Sequence, residues 1–270
     1  MNALEIENLS VRYGRTTVVD RVSLTVPKGR TVGLVGESGS GKSTIAAAAV
    51  GLVRPEAGTI RVDGDLAVGG GALARRARRR MQLVFQDPFS ALDPLMPVGD
   101  SIAEALRATG RRWSRAERVA RVRELLTQVH LDPDRAADRP GAFSGGQRQR
   151  ITIARALAGE PSVLLADEVT SALDVSVQGA ILNLLRELQE ELGISMLFIS
   201  HNLAVVRYIS DEVYVMRHGR LVESGPTEAL LAEPDDPYTR DLLDAVPVLG
   251  ERMQFAAGPG GFAQRDQSSI

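Results

Sequence analysis

The sequence predicts an α/β fold: a core of buried strands, an antiparallel β portion ahead of it, and an inserted helical subdomain. Three observations predict it. Short apolar runs, "TVGLVG", "SVLLADE" and "SMLFISH", each end in a glycine or a polar residue, as buried strands of an α/β sheet do. "LEIENLSVRY" and "VSLTVP" alternate apolar with polar residues, the signature of half-buried antiparallel strands. From about Asp87 to Arg139 the spacing turns helical.

In chain order, the two alternating strands come first, and "TVGLVG" then runs into a glycine-rich loop. A helix built on small residues, "STIAAAAVGL", starts at about Lys42 and is stopped by Gly51 and Pro55. "GTIRVDG" returns as a strand between turn residues. "VGDSIAEALRAT" and "RAERVARVRELLTQVHL" are helical, the second with Val119, Val122, Leu125, Leu126 and Val129 on one face. "FSGGQRQRITIARAL" opens another helix, and "SVLLADE" is a strand that ends in two acids. "VQGAILNLLRELQEELG" is strongly amphipathic, with Val177, Ile181, Leu184, Leu185, Leu188 and Leu192 on one face and Gly193 as its stop. "DEVYVMRHGRLVESG" reads as a hairpin turning at His218–Gly219, and the tail after Gly250 as a disordered loop.

Composition bounds the function. The chain has 270 residues, 44% hydrophobic and 24% charged, as ordinary globular proteins do. A net charge of −2 gives no overall case for nucleic acid. The absence of cysteine removes disulfides, thiolate metal sites and cysteine-held iron–sulfur clusters, and fits a reducing compartment. The N-terminus lacks the basic-then-apolar pattern of a leader, and no apolar run approaches the roughly 20 residues that span a bilayer. The expectation is a soluble protein that can dock at a membrane. Of 32 basic residues only Lys28 and Lys42 are lysine, and the arginine runs "ALARRARRRM" and "GRRWSRAERVARVR" read as solvated faces.

Chemistry concentrates at the strand ends. "GESGSGKS" fits the pattern G-x-x-x-x-G-K-[ST] through Gly36, Gly41, Lys42 and Ser43, between a strand and a helix. Its glycines let backbone N–H groups converge on phosphate oxygens, and the helix N-terminus adds partial positive charge. Gly36, Glu37, Ser38, Gly39, Ser40, Gly41, Lys42, Ser43 and Thr44 together are the expected nucleotide-phosphate site. Lys42 would reach the β and γ phosphates, and Ser43 would ligate Mg²⁺. Asp167 suits the Mg²⁺ shell through water, and Glu168 suits the base that deprotonates an attacking water. His201 is a candidate for the γ phosphate. Gln86, after "MQLVF", is a candidate for Mg²⁺ or the water. Tyr13 would either stack on an adenine or fill a sheet edge.

A second phosphate-binding device starts at Ser144. Ser144 to Gln147 fits a capping box, which needs no tandem glycines. Gly145 and Gly146 cost a helix start about 1 kcal/mol each against alanine, a cost that makes sense where a ligand must approach bare backbone. One nucleotide held at Lys42 has no need of both loops of one chain. Two protomers arranged head to tail would let Ser144, Gly145, Gly146 and Gln147 of one meet the nucleotide on Lys42 of the other.

In order, "GESGSGKST", "VFQDP", "FSGGQRQR", "LLADEVTSALD" and "FISH" resemble the motifs of the ATPase subunits of ATP-binding cassette (ABC) transporters, over about residues 3–247. The resemblance implies a P-loop NTPase fold of ABC type, with a RecA-like core, an antiparallel β subdomain and an inserted α-helical subdomain. It implies a core at about 1–86 and 160–225, a helical subdomain at about 87–159, a C-terminal extension at about 226–247 and a tail at 248–270. It implies a sandwich dimer closed by two ATP, with "SALD" at Ser171 to Asp174 speaking across it and the Gln86 loop facing membrane subunits. "ALDVSVQGAILNLL", "SHNLAVVRYISDEVYVMRHGRLVESGPT" and above all "DPYTRDLLDAVP" resemble the oligopeptide, dipeptide and nickel importer group. That implies a second ATPase subunit, two integral membrane permeases and, indirectly, an extracytoplasmic solute-binding protein as partners, no nucleic acid, and a peripheral place on the cytoplasmic face of the membrane. Three departures stand out: Gly141–Ala142 where the group usually has His–Glu, Val169 where proline often follows the catalytic glutamate, and no cysteine for the cluster that many relatives carry. A soluble cassette acting on nucleic acid or ribosomes would carry paired cassettes or long insertions, and an exporter would lack "DPYTRDLLDAVP".

Overall fold

The structure, a computed structural model, describes residues 1–244, except for the side chains at 88 and 89; the expected tail at 248–270 lies outside the described residues. The chain runs β1 (Asn2–Tyr13), β2 (Thr16–Pro27), β3 (Thr31–Val35), α1 (Lys42–Val50), β4 (Ala57–Val62), β5 (Asp65–Leu66), α2 (Ala72–Arg78) and β6 (Met81–Val84). Four helices follow: α3 (Pro88–Ala91), α4 (Val98–Ala105), α5 (Arg115–Gln128) and α6 (Gly145–Leu157). The chain then continues through β7 (Val163–Asp167), α7 (Val175–Leu192), β8 (Ser195–Ser200), α8 (Leu203–Ile209), β9 (Glu212–Arg217), β10 (Arg220–Pro226), α9 (Thr227–Ala232) and α10 (Pro237–Asp244).

Two sheets form. The alternating N-terminal strands make an antiparallel sheet in the order β2-β1-β4-β5, with Ile6 opposite Ile60 and Tyr13 opposite Thr16. The apolar runs make a six-stranded sheet, β10-β9-β3-β8-β7-β6, parallel except where the β9–β10 hairpin turns back at His218–Gly219. A core of Leu4, Ile6, Leu24, Ile60, Leu165 and Ile199 fills the space between the sheets, with Ile45 of α1. A second core lies among the helices: Ile102, Leu125, Ile151, Ile181 and Leu185 pack with Leu164 and Phe198. Burying each such side chain contributes about 1.5–3 kcal/mol. Because β3, β7 and β8 are parallel, their carboxyl ends share one edge, where ligands of open α/β sheets bind.

Several expectations change. Val119 is 55% exposed and Leu192 is 44% exposed, while Leu182, left off the expected face, is buried. Leu192 is the last residue of α7 and Val119 lies a turn ahead of Val122. Helical period marks a face but not where its packing partners stop. The first arginine run is only partly a solvated face. It forms α2, which buries Ala74 and Ala77. Arg78 donates to the carbonyls of Ala67 and Gly69, and Arg80 to the carbonyl of Val62 and the carboxylate of Asp65.

Candidate functional site

All five residues of β3 are buried, so the strand delivers Gly36 rigidly to the sheet edge. Gly36 has φ +153°, and a Cβ there would lie 2.0 Å from the carbonyl oxygen of Met216 in β9. Only glycine lets the loop leave the strand this close to a neighbouring backbone. Gly41 caps α1 without a side-chain bond, leaving the first amides of the helix free for an anion. Lys42 is 4% exposed, and its Nζ donates to the carbonyls of Gly36 and Glu37, both at 2.8 Å. Burial pulls its pKa down, while the charges of Glu168, Asp167 and Glu37 hold it up. The ammonium thus sits beneath the loop with acids around it.

Asp167 ends β7 and is 9% exposed; Ser43 Oγ donates to its Oδ1 at 3.1 Å. Burial pushes its carboxyl up, the Ser43 bond pulls it down, the charge of Glu168 raises it and that of Lys42 lowers it. A carboxylate held against desolvation beside a hydroxyl is a hard-oxygen pair that fits Mg²⁺. Among the described residues no cluster of three or more His, Cys, Asp or Glu could hold a metal. Mg²⁺ typically takes one or two carboxylates plus substrate phosphates, and Asp167 is the carboxylate beside Ser43.

Glu168 has φ 48°, the left-handed region, and its N–H donates to the carbonyl of Ile199 in β8 at 2.9 Å. Its Oε1 lies 3.2 Å from His201 Nδ1. Gln86 Nε2 donates to Ser171 Oγ at 3.1 Å, and Ser171 Oγ donates to the carbonyl of Glu168 at 2.9 Å. The ends of β7 and β8 therefore bring Glu168 and His201 into contact, and the loop after β6 adds Gln86. Gln86 does not join Asp167 and Ser43 directly; its amide reaches the backbone of Glu168 through Ser171.

Ser144 is exposed and caps α6: its Oγ accepts from Gln147 N, and Gln147 Oε1 accepts from Ser144 N. α5 opens with the same capping box at Ser114 and Glu117, so the box alone marks no ligand. The glycines differ. A Cβ on Gly146 would lie 2.4 Å from Val177 Cγ1, whereas on Gly145 it would meet only Leu173 Cδ2 at 3.7 Å. The packing of α6 on α7 therefore requires glycine at 146, a reason separate from the expected approach of a ligand. None of the described hydrogen bonds joins Ser144 to the phosphate loop.

Tyr13 is 51% exposed at the tip of the β1–β2 hairpin. The carbonyl of Val18, in the same hairpin, lies 2.8 Å from where a Cβ on Gly41 would be, so β2 runs alongside the loop. One contact was not foreseen: Tyr238 Oη accepts a hydrogen bond from Glu37 N at 3.0 Å. The segment "DPYTRD" stood out in the sequence, but no local signal ties it to residue 37.

Several known proteins resemble this chain. A relative from Brucella ovis is 50% identical over 89% of this chain and 76% of its own. One from Brucella abortus is 52% identical over 85% of this chain and 69% of its own; the names of both assign them to peptide import as ATP-binding proteins. The structure of cbiO1 from Clostridium perfringens, part of the ABC transporter complex cbiONQ, superposes with a TM-score of 0.78 at 28% identity, covering 86% of this chain and 91% of that one. A dimeric ATP-binding cassette, MJ0796, in a post-hydrolysis state with ADP and Pi, superposes with a TM-score of 0.73 at 28% identity over 83% of this chain and 98% of that one. A family profile described as ABC transporter matches residues 19–171, more than half of the chain. On these grounds the chain belongs to the ABC transporter family, as one of its ATP-binding, ATP-hydrolysing cassettes.

Proposed function

We propose that this cassette energises the uptake of peptides across a cell membrane. The observation that carries the reading is the 50% identity, over 89% of the chain, to a relative named for peptide import. Two integral membrane permeases would be its partners, on the cytoplasmic face, together with a second ATPase subunit and, indirectly, a solute-binding protein. No described helix is long and apolar enough to cross a membrane. A cavity of about 570 Å³ beside Gln86, lined by Phe85, Ser90, Ala91, Ala105 and Arg155 among others, offers a place for them. The domain division is read as a core at about 1–86 and 160–225, helices at about 87–159 and an extension at about 226–247.

The residues take these roles. The loop from Gly36 to Thr44 holds the ATP phosphates, with Lys42 turning from the loop carbonyls to the β and γ phosphates and Tyr13 against the adenine. Asp167, Ser43 and Gln86 would hold Mg²⁺, which supplies charge neutralisation at the phosphate oxygens. Glu168 takes the proton of the attacking water, and His201, in contact with Glu168, steadies the γ phosphate. Ser144, Gly145, Gly146 and Gln147 meet the nucleotide of the second subunit, consistent with the exposure of Ser144. Gly146 serves that surface through packing.

The test combines two variants. Glu168→Gln should lower ATP turnover by about 10²–10⁴ with ATP still bound, and should accumulate an ATP-bound dimer on size-exclusion chromatography. Ser144→Arg should stop turnover while leaving ATP binding to the single chain. Unchanged turnover in Glu168→Gln removes that residue from the chemistry. Labelled-peptide uptake by vesicles holding the permeases, absent with Lys42→Ala cassettes, tests the transport assignment.

A further inference from the structure

The peptide group between Gly36 and Glu37 is held from both sides. Its carbonyl accepts from Lys42 Nζ at 2.8 Å, and its N–H donates to Tyr238 Oη at 3.0 Å. The phenol is 3% exposed and comes from the start of α10, far along the chain. Its own segment is firmly built. Asp236 Oδ1 accepts from Tyr238 N at 2.8 Å, and the Glu223 carboxylate of β10 accepts from Asp235 N at 2.9 Å and from Asp236 N at 3.3 Å. Arg240 donates to the carbonyls of Pro234 and Asp235. The guanidinium of Arg217 lies 4.6 Å from the centre of the Tyr238 ring, within cation–π range. Arg217 follows Met216, whose carbonyl is the atom that forbids a Cβ on Gly36.

We propose that Tyr238 is a positioning residue of the ATP site, and that the segment from Pro234 to Arg240 is a strut that fixes the first peptide plane of the phosphate loop. A peptide plane has one orientation for both its groups. Holding the Glu37 N–H therefore also holds the Gly36 carbonyl that receives Lys42, and with it the start of the turn that presents the phosphate-binding amides. Preorganising a binding loop lowers the ordering cost of each binding event, so the strut acts on ATP affinity. Burial pushes the phenol's pKa up, and the neutral Oη has the lone pairs to accept this bond. The inference rests on the reading of Gly36–Thr44 as the ATP site.

Tyr238→Phe tests it, because it keeps the buried ring and the Arg217 contact and removes only the acceptor. The expected result is a three- to tenfold rise in KM for ATP with kcat within about twofold, equivalent to about 0.6–1.4 kcal/mol. Hydrogen exchange at the Glu37 amide should speed up, while the melting temperature stays close to that of the parent. Unchanged KM with unchanged exchange at Glu37 overturns the proposal. So does a fall in melting temperature with KM unchanged, since that is packing alone. Arg217→Gln, which keeps the hydroxyl, should shift KM less than Tyr238→Phe; an equal or larger shift also overturns it. Lys42→Ala keeps the two failures apart: if it binds ATP normally the ATP-site reading falls, whereas a null Tyr238→Phe beside a defective Lys42→Ala removes only the strut.

Discussion

Replacing the two glycines after Ser144 one at a time separates packing from chemistry. An alanine Cβ at Gly146 would lie 2.4 Å from Val177 Cγ1, well inside the roughly 3.5–4.0 Å at which carbon atoms rest. Val177 is β-branched and sits in the first turn of α7, where one χ1 rotamer dominates. Its methyl has no inexpensive way out, so α6 and α7 must part or the side chain must leave its rotamer. Overpacking of this kind costs about 1–3 kcal/mol, against a gain of up to about 1 kcal/mol for replacing glycine in a helix. Gly146→Ala should therefore lose about 0–3 kcal/mol. Gly145→Ala, whose Cβ meets only Leu173 Cδ2 at 3.7 Å, should gain up to about 1 kcal/mol. Urea denaturation without nucleotide reads the difference, and thermal melts should echo it at about 2–4 °C per kcal/mol. Pairing Gly146→Ala with Val177→Ala should recover most of the clash as a coupling energy. Equal stability of the two alanine variants, or additivity with Val177→Ala, would refute the packing argument. On the proposed dimer, where the backbone of residue 145 would face the nucleotide of the second subunit, Gly145→Ala should meanwhile lose ATP turnover.

Gly36→Ala places a Cβ 2.0 Å from a backbone carbonyl at φ +153°; backbone strain and overpacking together should cost about 2–6 kcal/mol and abolish binding of a fluorescent ATP analogue, and normal binding would contradict the geometry. Asp167 gives a pH signature. Its folded pKa is raised above the ordinary 3.8, chiefly by burial, so its stabilising protonation is complete below 3.8 and lost as pH rises through the folded value. Near neutral pH the ionised carboxylate weakens the nucleotide-free fold. Asp167→Asn should then melt higher than the parent near neutral pH, match it in strong acid and lose Mg²⁺-dependent turnover; a lower neutral melting point contradicts this sign.

What the sequence makes legible is set by distance along the chain. Parallel strands buried on both faces read as apolar runs, and the polar residues and glycine at the end of each run fall on one sheet edge. The place of Gly36, Asp167, Glu168 and His201 on that edge is legible for that reason, as is the His218–Gly219 turn. α2 stayed hidden because its buried residues are only Ala74 and Ala77, too small to mark a stripe among arginines. The reason for Gly146 lies at Val177, on another helix. The place of Gln86 just past β6 is legible, but its bond to Ser171 is not, because a side-chain amide picks its partner in space. Tyr238 was the least legible, since its bond to Glu37 spans 201 residues.

The loop between β7 and α7 ties the two halves of the proposed dimer site together within one chain. Ser171 holds the carbonyl of Glu168, and at the other end of the loop Asp174 caps α7 by accepting from Val177 N at 3.0 Å. The side chain of that same Val177 abuts Gly146, two residues from Ser144, and Leu173 lies beside Gly145. On the proposed dimer these close contacts give a movement of the Glu168 backbone a route to the surface that would face the second nucleotide. Val177→Ala removes the side-chain contact but keeps both helix caps. If this brace couples the sites, the variant should retain ATP binding while the cooperativity of turnover with ATP concentration falls. An unchanged Hill coefficient, with Val177→Ala folded and active, would leave the loop a local cap and nothing more.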